Sequence, residues 1–335
     1  MPITSVEKDL DALTITVVAD FAASRERLWE AYSDPRQIER FWGPAEWPAT
    51  FTRHDVFVGG RSAYVMTGPD GESSAGFWEF LAVDDGTFFE VRDGFSDEDG
   101  RENPAMPSMR MTFSFEETNE GSRLVTTTHF GSLDQLEQLL DMGMEEGMTS
   151  AMGQIDDVLA DLASFAAGRG TELQILSDTQ VRISRIIRGT VEQVWDAHHD
   201  PASVQQWMLG PDGWTMPVCE IATAIGGVSR FEWEPEEPSD EAAARFGFEG
   251  ELLEFDPPYR AVTTERMIGT DGPVNRNEMT LTPSQGGTLL SLVITFPSVE
   301  ARDTVLDTGM IDGMETSYAR LEGVLARAGS LRTGS

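Results

Sequence analysis

Apolar and polar residues alternate with period two over much of the chain. Such stretches include Leu13 to Phe21, Phe51 to Val58, Ser62 to Met66, Phe77 to Val83, Phe88 to Val91, Met109 to Phe115 and Leu124 to Phe130. Turn residues separate them, so the pattern predicts a run of antiparallel strands with one face buried. The first strand leads into a short amphipathic helix, and Asp34-Pro35 supplies the N-cap and first-turn residues of a second. Ser132 and Gln135 form a capping-box pattern ahead of a closing helical stretch. A break in that stretch is expected near Gly143. A strand, two short helices, a run of strands and a long closing helix predict an α+β layer architecture.

The same pattern then occurs a second time. RERLWEAYSDPRQIERFWGPAEWP at residues 25–48 returns as VEQVWDAHHDPASVQQWMLGPDGWTMP at 191–217. Trp29 matches Trp195, Asp34-Pro35 matches Asp200-Pro201, Gly43-Pro44 matches Gly210-Pro211, and Gly59-Gly60 matches Gly226-Gly227. DMGMEEGM at 141–148 returns as DTGMIDGM at 307–314, so the second break is expected near Gly309. Order and spacing are both kept, which predicts a tandem duplication of one domain. The junction is placed in the small-residue stretch 166–170, giving domains 1–167 and 168–335.

These motifs, in the same order twice, resemble the AHSA family, named for the activator of heat-shock protein 90 ATPase. The carrying residues are W-x-A-x-x-D-P, the Gly-Pro turn, the Gly-Gly pair, ELLEFDPP at 251–258 and G-M-x-x-G-M. The resemblance implies the START-like helix-grip fold of the SRPBCC superfamily: two tandem domains, each a curved antiparallel sheet wrapped around a long C-terminal helix. It further implies a largely apolar cavity between sheet and helix. Members often carry tryptophan where Met148 and Met314 stand, and Met208 replaces the counterpart of Trp42, differences that alter cavity lining. No catalytic residue carries over, and the founding activators stimulate a chaperone ATPase.

Composition narrows the partners. Of 335 residues, 24 are Lys or Arg and 58 Asp or Glu, a formal charge of −34. A nucleic-acid or anionic-membrane surface is excluded on that balance, since phosphate recognition needs a cationic footprint. Cys219 is the one cysteine, so no internal disulfide or multi-cysteine metal site is expected. The opening MPITSVEKDLDALTITV has no basic and apolar leader pattern, and no stretch reaches about 20 apolar residues. A soluble, cytoplasmic protein without cofactor or metal is the expectation.

Function is therefore sought in the interiors. Alternation places Tyr64 and Met66, and Phe231 and Trp233, on the inner face, with Arg230 and Glu232 outside. Met109 and Met111 face the same way as Asn275 and Asn277 in the second repeat, while Thr126 and Thr128 match Leu292 and Ile294. Met144, Met148 and Met152, and Met310, Met314 and Tyr318, share one helical face at spacings of four. Each of these stripes is either core filler or an adaptable ligand surface. Trp42 at a Gly-Pro turn packs the short helices or touches a ligand. Gly143, Gly147, Gly309 and Gly313 imply either close approach to the sheet or room beside the helix, because glycine in a helix costs roughly 1 kcal/mol.

Glu79 and Glu251 recur in both repeats, but a carboxylate without a partner is usually an exposed strand residue. The histidines form no metal-ligand spacing. The leading expectation is binding of a small hydrophobic molecule, with Trp42, Tyr64, Met66, Met111, Thr126, Thr128, Met144, Met148, Met152, Phe231, Trp233, Asn277, Met310, Met314 and Tyr318 as lining residues. One alternative is cofactor-free cyclase or aromatase chemistry of the polyketide type, which would need buried Arg, Tyr or His. The other is a co-chaperone-like module with a chaperone as protein partner.

Overall fold

The computed structural model describes residues 2–97, 101–103, 105–106, 108–161, 170–210, 212–237 and 245–332. The chain divides into two compact units, Met1–Ser164 and Phe165–Ser335. The expected junction at 166–170 lies, apart from Gly170, outside the described residues.

In the first unit the elements run β1 (Ile3–Asp9), β2 (Thr14–Phe21), α1 (Arg25–Ser33), α2 (Pro35–Ile38), β3 (Ala49–His54), β4 (Arg61–Thr67), β5 (Ser73–Asp84), β6 (Phe88–Ser96), β7 (Met109–Thr118), β8 (Gly121–His129), α3 (Leu133–Asp141) and α4 (Met144–Ala160). The strands form one antiparallel sheet in the order β1-β2-β8-β7-β6-β5-β4-β3. That order leaves β1 and β3 as edges, so the sheet stays open.

The second unit repeats the scheme with β9 (Glu172–Ile175), β10 (Gln180–Ile187), α5 (Val191–His199), α6 (Pro201–Trp207), β11 (Trp214–Glu220), β12 (Val228–Pro235), β13 (Phe246–Asp256), β14 (Arg260–Met267), β15 (Asn275–Ser284), β16 (Gly287–Thr295), α7 (Val299–Leu306) and α8 (Met310–Arg332). Its order, read from the matching edge, is β9-β10-β16-β15-β14-β13-β12-β11. Two α+β units of one topology follow.

Local chemistry sets the helix starts. Ser24 accepts from the Arg27 amide, Asp34 from the Arg36 amide, and Asp200 from the amides of Ala202 and Ser203. Thr190 and Gln193 complete a full capping box. At Ser132 the pattern is met by half: its hydroxyl accepts from the Gln135 amide, but the Gln135 side chain accepts from Gly131, one residue earlier.

One expectation needs correction. Each sheet begins one strand earlier than the alternation predicts, because β1 is interrupted by a register shift between Ile3 and Ser5 and β9 is only four residues long. Of the two readings of the helix glycines, close approach to the sheet or room beside the helix, the contacts favour room. Gly143 and Gly309 sit between helices at φ of 85° and 79°, where a Cβ is disfavoured. At Gly147 a Cβ would meet nothing nearer than Pro44 Cγ at 3.9 Å, and at Gly313 nothing within 4 Å.

Candidate functional site

The two interiors differ in how they are filled. In the first unit a single cluster joins Ile15 and Val17 of β2, Phe51, Tyr64, Trp78, Phe89, Met111 and Phe113 from the sheet, and Met152, Ile155 and Val158 of α4. In the second unit the described apolar residues separate into three clusters. One gathers Ala261, Leu252, Leu281 and Tyr318, another Val181, Ile183, Ile294 and Phe296, and a third Val204, Met216 and Trp233 with Phe231, Phe246 and Phe248.

Between them lies a polar group on the inner face. Strand register pairs Ala261 with Met279, Thr263 with Asn277, and Glu265 with Asn275. Because Ala261 and Met279 belong to the core, Thr263, Glu265, Asn275 and Asn277 point the same way along the pleat. Asn277 also pairs with Ile294 across β16. Burial raises the Glu265 carboxyl's pKa above its ordinary value, an effect that the neighbouring Asn277 side chain opposes. Oδ1 of Asn277 has no partner among the described residues, nor has Oδ1 of Asn275. Buried polar atoms are rarely left unmatched.

The matching site in the first unit is closed. Asp93 occupies the position of Glu265, with Met109 and Met111 in place of Asn275 and Asn277. Trp78 lies directly across from Asp93, and its Nε1 donates to the carboxylate at 2.8 Å. The Tyr64 hydroxyl lies 3.5 Å from the same oxygen. Tyr64 reaches it by crossing Gly76, where a Cβ would come within 2.5 Å of the ring.

In the second unit that pattern of large and small residues is inverted. Phe248 pairs with Phe231 where Gly76 pairs with Tyr64, and Gly250 pairs with Ser229 where Trp78 pairs with Ser62. Glu249 pairs with Arg266 and Leu252 with Thr263, which sets Gly250 beside Glu265. The aromatic mass is thereby shifted toward the β11 edge, and Glu265 loses both donors that hold Asp93. Burial follows suit: Tyr64, Val91, Asp93, Met109 and Met111 are buried, whereas Phe231, Thr263, Glu265, Asn275 and Asn277 are each only partly so.

The remaining residues expected at a site are distributed as follows. Trp42 packs edge-on to Trp78 at 4.7 Å and to Tyr64 at 6.0 Å, and Met66 lies against Gly43. Thr126 and Thr128 are buried on the inner face, with hydroxyls that have no partner among the described residues. Met144 and Met148 pack on the same core, partly buried. In the second unit Trp233 is buried and its Nε1 donates to the Met208 carbonyl at 2.7 Å. Met310 and Met314 pack on the Ile294 cluster, and Tyr318 is stacked on Trp207 at 5.9 Å. Glu79 faces outward to Arg92, and Glu251 is exposed.

Sequence reasoning passed over the two inner acids and Arg185, and weighed His198 only as a metal ligand. Arg185 is buried on the inner face of β10, ion-paired with Glu315 and Glu322 of α8 and 5.9 Å over the Tyr318 ring. His198 donates through Nδ1 to the Val194 carbonyl. Burial pulls its pKa down to about 4, leaving a neutral ring whose Nε2 has no partner among the described residues. Its ring stands 6.3 Å from that of Tyr318. Among the described residues no group of three or more His, Cys, Asp or Glu is placed to hold a metal ion, and no helix is long and apolar enough to cross a membrane.

The family model for activator of Hsp90 ATPase homolog 1-like protein matches residues 22–160 and again 188–326. The chain belongs to that family. Among solved structures, this AHSA1-like chain is similar to protein Ms6760 from Mycobacterium smegmatis, at 47% identity over 48% of this chain and 98% of the other, TM-score 0.45. It is similar to a protein from Arthrobacter aurescens at 42% identity over 47% and 92%, TM-score 0.46. It is also similar to the AHSA1-like protein from Aeromonas hydrophila at 17% identity over 43% and 93%, TM-score 0.36. No curated protein matches it. Each of these structures spans about half of the chain, as a single repeat does.

Proposed function

We propose that the second repeat holds a small, largely apolar molecule against the inner face of its sheet, under α8, and that the first repeat is a filled scaffold. The observation that carries this reading is the exchange of Trp78 for Gly250 beside an inward acid, with the accompanying loss of burial along β12, β14 and β15. Sites of this kind combine apolar walls with a few convergent polar groups. On this reading the sheet curves around the long helix as a helix grip. The register shifts at Thr215/Val218 and Leu252/Glu254 support that bend, since bulges kink and twist a strand. Phe231, Trp233, Asn277, Met310, Met314 and Tyr318 then line the pocket.

Displacement of a lipophilic dye from the full chain tests the proposal. Met314→Trp, which adds bulk on the helix face, is expected to abolish dye binding while the fold is retained. Unchanged binding in that variant would overturn the assignment to the second repeat.

A second reading, docking to a chaperone of the Hsp90 type, is favoured by the family's description and by the filled interior of the first repeat. Its test is stimulation of a purified Hsp90 ATPase by the chain, with no effect of Met314→Trp.

A further inference from the structure

We infer that the second repeat selects an apolar molecule bearing a protonated amine, with the ammonium seated between the Glu265 carboxylate and the free Oδ1 atoms of Asn277 and Asn275. The inference rests on the ligand-binding reading above and specifies the ligand's head group. Three acceptors converge on neighbouring inner positions of β14 and β15. The donors that satisfy the equivalent acid in the first repeat, the Trp78 indole and the Tyr64 hydroxyl, have become Gly250 and Phe231. No cationic side chain among the described residues interacts with Glu265, whose polar neighbour is Asn277. An inward, partly buried carboxylate of this kind lacks a counter-charge, and a charged donor supplies it with a stronger hydrogen bond than a neutral one.

Charge on the whole chain points the same way. A formal charge of −34 draws cationic amphiphiles toward the surface and repels anionic ones. A carboxylate-headed lipid would in addition meet Glu265 directly. An alcohol satisfies one acceptor and leaves the charge unpaired.

The test uses the full chain and three probes with one tail: decylammonium, 1-decanol and decanoate, titrated at neutral pH and about 0.15 M salt. Decylammonium is expected to bind at least tenfold more tightly than either of the others. Glu265→Gln should remove that preference and leave 1-decanol affinity within about twofold. Asn277→Leu should weaken the ammonium probe alone. Asp93→Asn, in the first repeat, should change nothing. A preference that survives Glu265→Gln, as surface attraction to an acidic protein would, overturns the head-group assignment and leaves the pocket standing. Equal affinity for all three probes does the same. Failure of all three to bind overturns the pocket itself.

Discussion

Trp78 and Asp93 face each other across β5 and β6, and the indole donates to a carboxylate sealed inside the first repeat. Burial raises the Asp93 pKa from 3.8 to about 7, against the lowering effect of the bonds from Trp78 and Tyr64. Between about pH 4 and pH 7 the folded state therefore keeps a proton that the unfolded chain has released. Stability is fully present below the unfolded value and is lost as pH rises through the folded one. The whole shift corresponds to about 4 kcal/mol. Asp93→Asn keeps an acceptor for both donors and cannot ionise, so its melting temperature should match the parent near pH 4 and exceed it increasingly toward pH 8. Parallel melting-temperature curves for the two proteins would show that Asp93 stays ionised in the fold.

In FFEVRDGFS, Phe89, Val91 and Asp93 share one parity, and the first two are core residues. The parity was visible. An ionisable residue on an apolar face is usually read as the end of the buried run, and its interior role comes from Trp78 and Tyr64, on other strands. Glu265 was hidden for the same reason, and the Gly250 exchange is legible only after strand register is known. By contrast the duplication, the order of elements from β2 and β10 onward and the helix breaks were legible, because paired motifs such as Trp29/Trp195 and Gly143/Gly309 report on local packing and backbone geometry. The extra first strands were not, since the shift at Ile3/Ser5 breaks the alternation that reveals a strand.

The glycines of the helix breaks give opposite predictions one turn apart. Gly309 has φ of 79°, which a side chain resists, whereas Gly313 lies inside α8 with open space where its Cβ would be. Gly309→Ala is expected to destabilise the second repeat by about 1 kcal/mol and Gly313→Ala to stabilise it by about 0.5–1 kcal/mol. Denaturant midpoints measured on the two variants decide it. Loss of stability in Gly313→Ala would mean that the helix needs that space.

Arg185 ties β10 to α8 through Glu315 and Glu322, where the first repeat has the core residue Ala19. Both glutamates retain solvent access, so removal of the cation does not strand a fully buried charge. The cost of Arg185→Ala is then mainly the lost packing of the stem, about 2 kcal/mol, and Arg185→Met should recover most of it. Chemical unfolding of both variants tests this. An equal loss in each would make the ion pair, and not the stem, the stabilising element.

The exchange of Trp78 for glycine between the repeats can be imitated in the first one. Trp78 is fully buried among Trp42, Phe80, Phe89 and Phe113. Its replacement by alanine should cost about 3–5 kcal/mol through the cavity left behind. Part of that loss is chemical and not steric, because Asp93 also loses its 2.8 Å donor and keeps only the more distant Tyr64 hydroxyl. Small aromatic molecules can refill a buried apolar cavity, and those that carry an N–H can restore the donor as well. Indole and benzothiophene have the same bicyclic shape, and only indole donates. Added to Trp78→Ala, indole should raise the melting temperature more than benzothiophene does at pH 8, where Asp93 is ionised and needs the donor. Below pH 5, with Asp93 protonated, the two should converge. Equal rescue at both pH values would reduce the Trp78 contribution to volume alone and remove the reason for reading its absence beside Glu265 as an unfilled polar site.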